Sequence, residues 1–194
     1  MDAYHIALFV HLVTLIVAAS ATAITKLAVG RRIRARTARE ALEWHDVLIS
    51  ASKAFPICLL LFFVSGAYMV GVLGARAWSS GFVVSGLVGV SMLLGSGIFL
   101  GVKAKGLRHV LQNIVNVSPE ALAPRLAPPP LVALLPVVNT GIALAVVFDM
   151  VTKPASVLVA LGVIAFGVVA SGALALRRPR PASARAEGGL VGAQ

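Results

Sequence analysis

Residues 155–176 read ASVLVALGVIAFGVVASGALAL, a run of 22 residues without one charged side chain. A helix needs about 20 mostly apolar residues to cross the hydrocarbon core of a bilayer. A membrane-spanning β-strand would be about ten residues long and would alternate apolar with polar side chains. Because this run is much longer than that and does not alternate, it predicts a transmembrane helix.

Four further segments of the same kind precede this run, and the five together predict an all-α, polytopic transmembrane helix bundle. The predicted spans are residues 6–29, 49–74, 81–104, 131–150 and 155–176. Residues 1–176 are therefore expected to form a single transmembrane domain. The first span is expected to be retained, because residues 1–5 contain Asp2 and no lysine or arginine. A cleaved signal peptide would begin with a positively charged segment.

The composition excludes a water-soluble enzyme. Hydrophobic residues make up 59% of the chain and charged residues only 12%, with a mean hydropathy of +0.95. A soluble domain is about 25% charged, so this chain lacks the polar surface that would cover its apolar residues in water. The single cysteine, Cys58, rules out an intramolecular disulfide. No catalytic motif stands out, so a non-enzymatic role is expected.

The basic residues gather on one side of the predicted membrane. Of the 17 lysines and arginines, 15 adjoin connections on one side, and only Arg76 and Lys153 adjoin the other. Basic residues near span ends stay in the cytoplasm, so the N-terminus is predicted outside and the C-terminus inside. The net charge of +10 is thus a topology signal. Anionic lipid headgroups are the expected partners of this side, and nucleic acid is not. Residues 177–194 are predicted to be a disordered, basic cytoplasmic tail.

Two of the basic connections are predicted to contain helix. Thr37-Ala38-Arg39-Glu40 has the spacing of a capping box, with Thr37 capping a helix that continues past Lys53 into the second span. In the next basic connection, residues 110–117 are expected to form a short interfacial helix. A proline-rich segment follows it, and prolines end helices.

Three histidines are candidate cofactor ligands. His45 and His109 lie at similar depths beyond the second and third spans, so they could face one another as the axial ligands of a b-type haem. The alternative is that both are ordinary interfacial polar residues. His11 lies inside the first span and is a further candidate, although an interhelical hydrogen bond is the commoner use of such a residue.

No metal site is predicted on the side opposite the basic connections. Asp2, His5, His11 and Asp149 have suitable ligand chemistry. However, Asp149 lies four residues before Lys153, a spacing that favours an exposed ion pair in water.

Small and polar residues mark two further places inside the spans. Four small residues of the third span are four or eight positions apart, namely Ser85, Gly89, Gly97 and Gly101. They form a stripe of small residues along the helix and are predicted to pack against a helix of the same chain, with a homodimer interface as the alternative. Asn139 and Thr140, one turn after Pro136, are the most polar intramembrane point. They are expected either to bond to a neighbouring helix or to line a small cavity.

Residues 5–110 resemble a known family. The resemblance depends on His11-Leu12, the arginine-rich connection after the first span, Ala54-Phe55-Pro56, Val64-Ser65-Gly66 and Gly86-Leu87. On these residues the chain resembles an uncharacterised family of small bacterial integral membrane proteins. That family is distantly similar to the copper-resistance protein D type of membrane domain. The resemblance implies a bacterial cytoplasmic membrane and, for the wider grouping, haem or metal handling.

Three functions are expected, in decreasing order of support. The first is a non-enzymatic role as a helix-packing or accessory subunit, with a second copy or a membrane complex as partner. The second is electron transfer through bound haem b or a metal. The third is a pathway for a small solute or an ion past Asn139 and Thr140.

Overall fold

The structure is a computed structural model that describes residues 2–118 and 129–177. Within these residues there are six α-helices, one short 3-10 helix and no β-strand. Five helical stretches are long and apolar enough to cross a membrane, which confirms the predicted all-α, five-span class. The predicted tail lies, from residue 178 onward, outside the described residues. The helices are α1 (Ala3–Arg34), α2 (Ala38–Ser52), α3 (Ala54–Leu73), α4 (Gly81–Val117), α5 (Pro130–Thr152) and α6 (Val157–Leu176), with the 3-10 helix Ala75–Ser79 between α3 and α4.

The start of α2 confirms the predicted cap. Thr37 Oγ accepts a hydrogen bond from the Glu40 N–H at 3.2 Å, and Glu40 Oε2 accepts one from the Arg36 N–H at 2.9 Å. A capping box places the second bond on the cap residue itself, so here it falls one residue earlier. Only the turn residue Lys53 separates α2 from α3, and the predicted continuation into the second span is therefore correct.

Most of α2 lies outside the second predicted span, which overlaps it only at residues 49–52. Four charged residues fall within its 15 residues, whereas α3 carries none. The membrane crossing of this stretch therefore begins with α3. The charged residues of α2 are Arg39, Glu40, Glu43 and Asp46.

The helix α4 is longer than predicted. It runs without interruption from Gly81 to Val117, so the separate interfacial helix expected at residues 110–117 is wrong. The only strong helix breaker just after the third predicted span is Gly106. One glycine costs a helix about 1 kcal/mol relative to alanine, which is too little to end it.

The helices pack as two groups. In one, α1 packs against α2 and α3; in the other, α5 packs against α6 and α4, and α2 joins α4 on the basic side. The helices α5 and α6 approach closely at two glycines, where a Cβ on Gly167 would lie 2.7 Å from the carbonyl oxygen of Gly141. Such contacts need residues without side chains. Many large apolar side chains elsewhere are exposed, as expected of helices that lipid covers.

Candidate functional site

Polar side chains of α1, α4 and α5 form two interhelical hydrogen bonds, of which the one from Lys26 is exposed. Thr140 Oγ accepts a hydrogen bond from Lys26 Nζ at 2.8 Å, which joins α5 to α1. Asn139 Oδ1 accepts one from Ser96 Oγ at 2.9 Å, which joins α5 to α4. The Thr140 hydroxyl donates its own proton to the carbonyl oxygen of Pro136. We call Lys26, Ser96, Asn139 and Thr140 the mid-membrane cluster.

Helix geometry gives the depth of this cluster. Asn139 lies nine residues after the first residue of α5 and 13 before its last. At about 1.5 Å per residue, these separations are about 14 Å and about 20 Å. The hydrocarbon core of a bilayer is about 30 Å thick, so Asn139 and Thr140 lie near the middle of a helix of membrane-spanning length.

Lys26 is the ionisable residue of the cluster. It lies inside the first predicted span, five residues before Arg31, so its Cα is about 7.5 Å deeper along α1. Its ammonium contacts Thr140 near the middle of α5. Among the described residues, no carboxylate lies within ion-pair distance of this ammonium. An ionisable side chain inside a span is costly, and it commonly marks an ion or substrate pathway.

Sequence reasoning identified half of this cluster. It selected Asn139 and Thr140 but counted Lys26 only among the 15 basic residues that adjoin the connections on one side. The available signal was that Lys26 falls inside the apolar run 6–29 and follows Thr22 and Thr25. Ser96 carried no signal of its own, because a serine in an apolar helix usually bonds to its own backbone.

A second polar arrangement surrounds His45 on the basic side. His45 is 1% exposed, and its ring joins three helices. Its Nε2 donates to the carbonyl oxygen of Ala104 at 2.8 Å, and its Nδ1 accepts from the Arg32 guanidinium at 3.1 Å. These roles follow from chemistry, since a carbonyl only accepts and a guanidinium only donates. The ring must therefore be neutral, with its proton on Nε2.

The electrostatic environment of His45 agrees with this assignment. Burial lowers the pKa of His45 below its ordinary value of 6.5. The hydrogen bond to the Ala104 carbonyl raises this pKa, the charge of Arg32 lowers it and the charge of Asp46 raises it. Each of these effects on the pKa is smaller than that of burial. Nearby Arg108 lowers it further. The neutral ring is thus the form that the folded protein favours.

An ion pair and a groove lie beside His45, between α2 and α4. Arg108 Nε donates to Asp46 Oδ1 at 2.6 Å, and both side chains are partly exposed. Such a pair contributes about 0–1 kcal/mol, so its main effect is to fix the two helices at this point. The adjacent cavity has a volume of about 560 Å³, and we call it the interfacial groove. Besides Asp46 and Arg108, it is lined by Ile49, Ser50, Lys53, Lys105, His109 and Gln112.

The structure places the two proposed haem ligands in different surroundings. His109 is exposed and lines the interfacial groove, whereas His45 is buried and is not among the lining residues. Both nitrogens of His45 already have hydrogen-bond partners, so a haem iron would have to displace one of them. The haem hypothesis stays a prediction.

His11 makes an interhelical hydrogen bond. Its Nδ1 lies 3.0 Å from Ser65 Oγ on α3, and its ring meets the Phe62 ring edge-on at 4.9 Å. Ser65 uses its own proton on the carbonyl oxygen of Leu61. His11 therefore donates to Ser65, an arrangement that joins α1 to α3.

Asp149 differs from its prediction. The expected exposed ion pair with Lys153 is wrong, because Asp149 is 0% exposed and neither of its carboxylate oxygens has a hydrogen-bond partner in the described part of the chain. The reason is helical periodicity: Asp149 shares the buried face of α5 with Ile142 and Ala145. Across residues 2–118 and 129–177, no group of three His, Cys, Asp or Glu side chains could hold a metal ion.

The small residues of α4 divide into two pairs. Ser85 is fully buried, and a Cβ on Gly89 would overlap the Val146 side chain, so this half of the stripe packs against α5. A Cβ on Gly97 or Gly101 would meet no atom of residues 2–118 or 129–177 within 4 Å. The second half therefore lies open.

Comparison with protein-family models, curated proteins and solved structures finds no match to this chain. The resemblance to the copper-resistance protein D type of membrane domain stays a prediction.

Proposed function

We propose that the protein is a non-enzymatic, multi-pass protein of the bacterial cytoplasmic membrane that binds a small anionic solute at the mid-membrane cluster, as part of a pathway across the membrane. The observation that carries this proposal is the 2.8 Å hydrogen bond from Lys26 Nζ to Thr140 Oγ. Inorganic anions such as chloride and small carboxylates such as acetate fit the site chemically.

The missing counter-ion supports an anionic ligand. Charged residues inside membranes normally pair with opposite charges or with carbonyl groups. Lys26 has no carboxylate partner among the described residues, so a bound anion would supply the counter-charge. A lysine ammonium has three donors, and Thr140 accepts only one of them.

The rest of the cluster supplies further hydrogen-bond donors. The Asn139 amide oxygen accepts from Ser96, and an amide also carries two N–H donors on its nitrogen. The Lys26 ammonium contacts Thr140, the residue next to Asn139, and ammonium and amide N–H groups are both donors to a small anion.

Anion flux into proteoliposomes tests the proposal. Chloride and acetate would be assayed for the wild type, Lys26→Met, Lys26→Arg and the control Lys103→Met. Lys103 is a basic residue of α4, and its ammonium lies 5.7 Å from the centre of its neighbouring Phe99 ring. We expect Lys26→Met to reduce flux to the level of empty liposomes, Lys26→Arg to retain part of it and Lys103→Met to retain all of it. Wild-type flux in Lys26→Met would overturn the proposal.

The orientation is part of the same proposal. The bias of 15 basic residues to one side supports an outside N-terminus and a cytoplasmic C-terminus. Reporter fusions to Gln194 test it: a fluorescent protein that matures only in the cytoplasm should be bright, and a phosphatase that is active only in the periplasm should be inactive. The reverse pattern would refute the orientation.

The open half of the small-residue stripe favours a second candidate function, that of a packing subunit. We propose that Gly97 and Gly101 admit a helix of a second copy, since no described residue of this chain fills the space beside them. Gly97→Leu should shift sedimentation in detergent from dimer to monomer, and Gly162→Leu, at an exposed position of α6, should not. An unchanged sedimentation coefficient for Gly97→Leu would exclude this interface.

A further inference from the structure

The interfacial groove carries unneutralised positive charge. Its one carboxylate, on Asp46, is already paired with Arg108. Lys53 and Lys105 also line the groove; both are exposed, and neither has an ion-pair partner among the described residues. The groove therefore offers two ammonium groups to a ligand, and its charge matches an anion.

The position of the groove along the helices indicates where this anion comes from. Lys53 immediately precedes the apolar helix α3, and Lys105 directly follows the third predicted span, which ends at residue 104. Both lysines thus lie at the end of a membrane-spanning segment. This is the depth at which the phosphate groups of a leaflet lie.

The helix faces that lead from the groove into the membrane are apolar. Ile57, four residues after Lys53, is 62% exposed, and Val102, three residues before Lys105, is 64% exposed. Residues three or four apart lie on the same side of a helix, so each lysine has an open apolar surface one turn deeper. A small free anion would contact only the lysines of the groove. An amphipathic anion would contact both the lysines and the apolar helix faces one turn deeper.

We propose that the interfacial groove binds one anionic phospholipid. Lys53 and Lys105 donate to its phosphate, His109 and Gln112 border its headgroup, and its acyl chains lie along the exposed faces of α3 and α4. The volume of about 560 Å³ is within the range of small-molecule sites, about 300–1,000 Å³. This inference goes beyond the proposed function, because the groove lies at the end of the spans and the mid-membrane cluster lies near their middle.

Native mass spectrometry of the detergent-purified full chain tests the proposal. Phosphatidylglycerol and phosphatidylcholine with identical acyl chains would be titrated in parallel. The wild type should bind one phosphatidylglycerol in preference to phosphatidylcholine. One Lys near a membrane surface contributes about fivefold in binding to anionic lipid, so Lys53→Gln/Lys105→Gln should weaken phosphatidylglycerol binding about 30-fold. The single variants should each weaken it about fivefold.

Two controls separate this site from general attraction and from the proposed function. Lys103→Gln removes the same charge two residues from Lys105, at a position that does not line the groove, and should leave binding unchanged. Lys26→Met, which is expected to abolish anion flux, should also leave lipid binding unchanged. Because both lysines are exposed, the variants should have the melting temperature of the wild type. If the double variant melts at a lower temperature, lipid binding is compared between the wild type and the single variants.

Three results would overturn the proposal. The first is equal binding of phosphatidylglycerol and phosphatidylcholine by the wild type. The second is the same loss of binding in Lys103→Gln as in Lys105→Gln, which would indicate only a diffuse surface charge. The third is displacement of the lipid by an equal concentration of glycerol 3-phosphate, which would identify the site as one for a free phosphate ester.

Discussion

Replacing Gly141 with alanine adds one methyl group where α5 and α6 approach most closely. The new Cβ would overlap the carbonyl oxygen of Gly167 and would lie 2.8 Å from the Cβ of Ser171. The first of these atoms belongs to the backbone of a helix, so the two helices must move apart. Overpacking of this kind costs about 1–3 kcal/mol. Alanine also favours the helix over glycine by about 0.5–1 kcal/mol. The net effect of Gly141→Ala is thus a loss of between about 0 and 2.5 kcal/mol.

Gly162→Ala is the matched control for this variant. A Cβ on Gly162 meets no atom within 4 Å, so this variant keeps the helix-propensity gain without the overlap. The free energy of unfolding of the two variants should differ by about 1–3 kcal/mol. Denaturation in mixed micelles, followed by circular dichroism, measures this difference. Equal stability of the two variants would refute the close packing of α5 on α6.

Two further predictions follow from buried polar groups. Asp149→Leu should raise the free energy of unfolding by about 1–3 kcal/mol, because it removes two buried acceptors that have no donor among the described residues. A lower melting temperature in detergent would show that the carboxylate has a stabilising partner. Burial lowers the pKa of His45, and the charges of Arg32, Asp46 and Arg108 change this pKa by less than burial does. The His45 ring therefore binds a second proton less tightly in the folded protein than in the unfolded chain. The stability that the neutral ring contributes is therefore complete above the ordinary pKa of 6.5 and is lost as the pH falls below it. His45→Gln should remove this part of the pH dependence of the melting temperature, and an unchanged pH profile would contradict the assignment.

The sequence was sufficient to predict the spans because a single property determines them. A backbone in lipid must satisfy its own hydrogen bonds, so an apolar run of sufficient length must be helical whatever its neighbours are. The predicted span at residues 131–150 and the observed helix Pro130–Thr152 differ by only one or two residues at each end. The cap at Thr37 could be predicted for a similar reason, since it depends on residues three positions apart.

The partners of side chains could not be predicted in the same way. Whether Lys26 extends to the membrane surface or to Thr140 depends on the rotation and tilt of α1 relative to α5. Packing between helices sets this rotation and tilt, and the length of an apolar run does not. Asp149 illustrates the same limit, because its spacing to Lys153 permits a surface pair. Its burial follows from the face of α5 that meets the neighbouring helices.

A double-mutant cycle between Lys26 and Thr140 tests the central claim of this account most directly. The free energy of unfolding would be measured for the wild type, Lys26→Met, Thr140→Val and the double variant, with Lys103→Met and Thr140→Val as the control pair. A hydrogen bond from Lys26 to Thr140 predicts a coupling energy of about 1 kcal/mol for the first pair and additive effects for the control pair. A Lys26–Thr140 coupling within the usual scatter of additive sites, about 0.3–0.5 kcal/mol, would contradict the mid-membrane cluster.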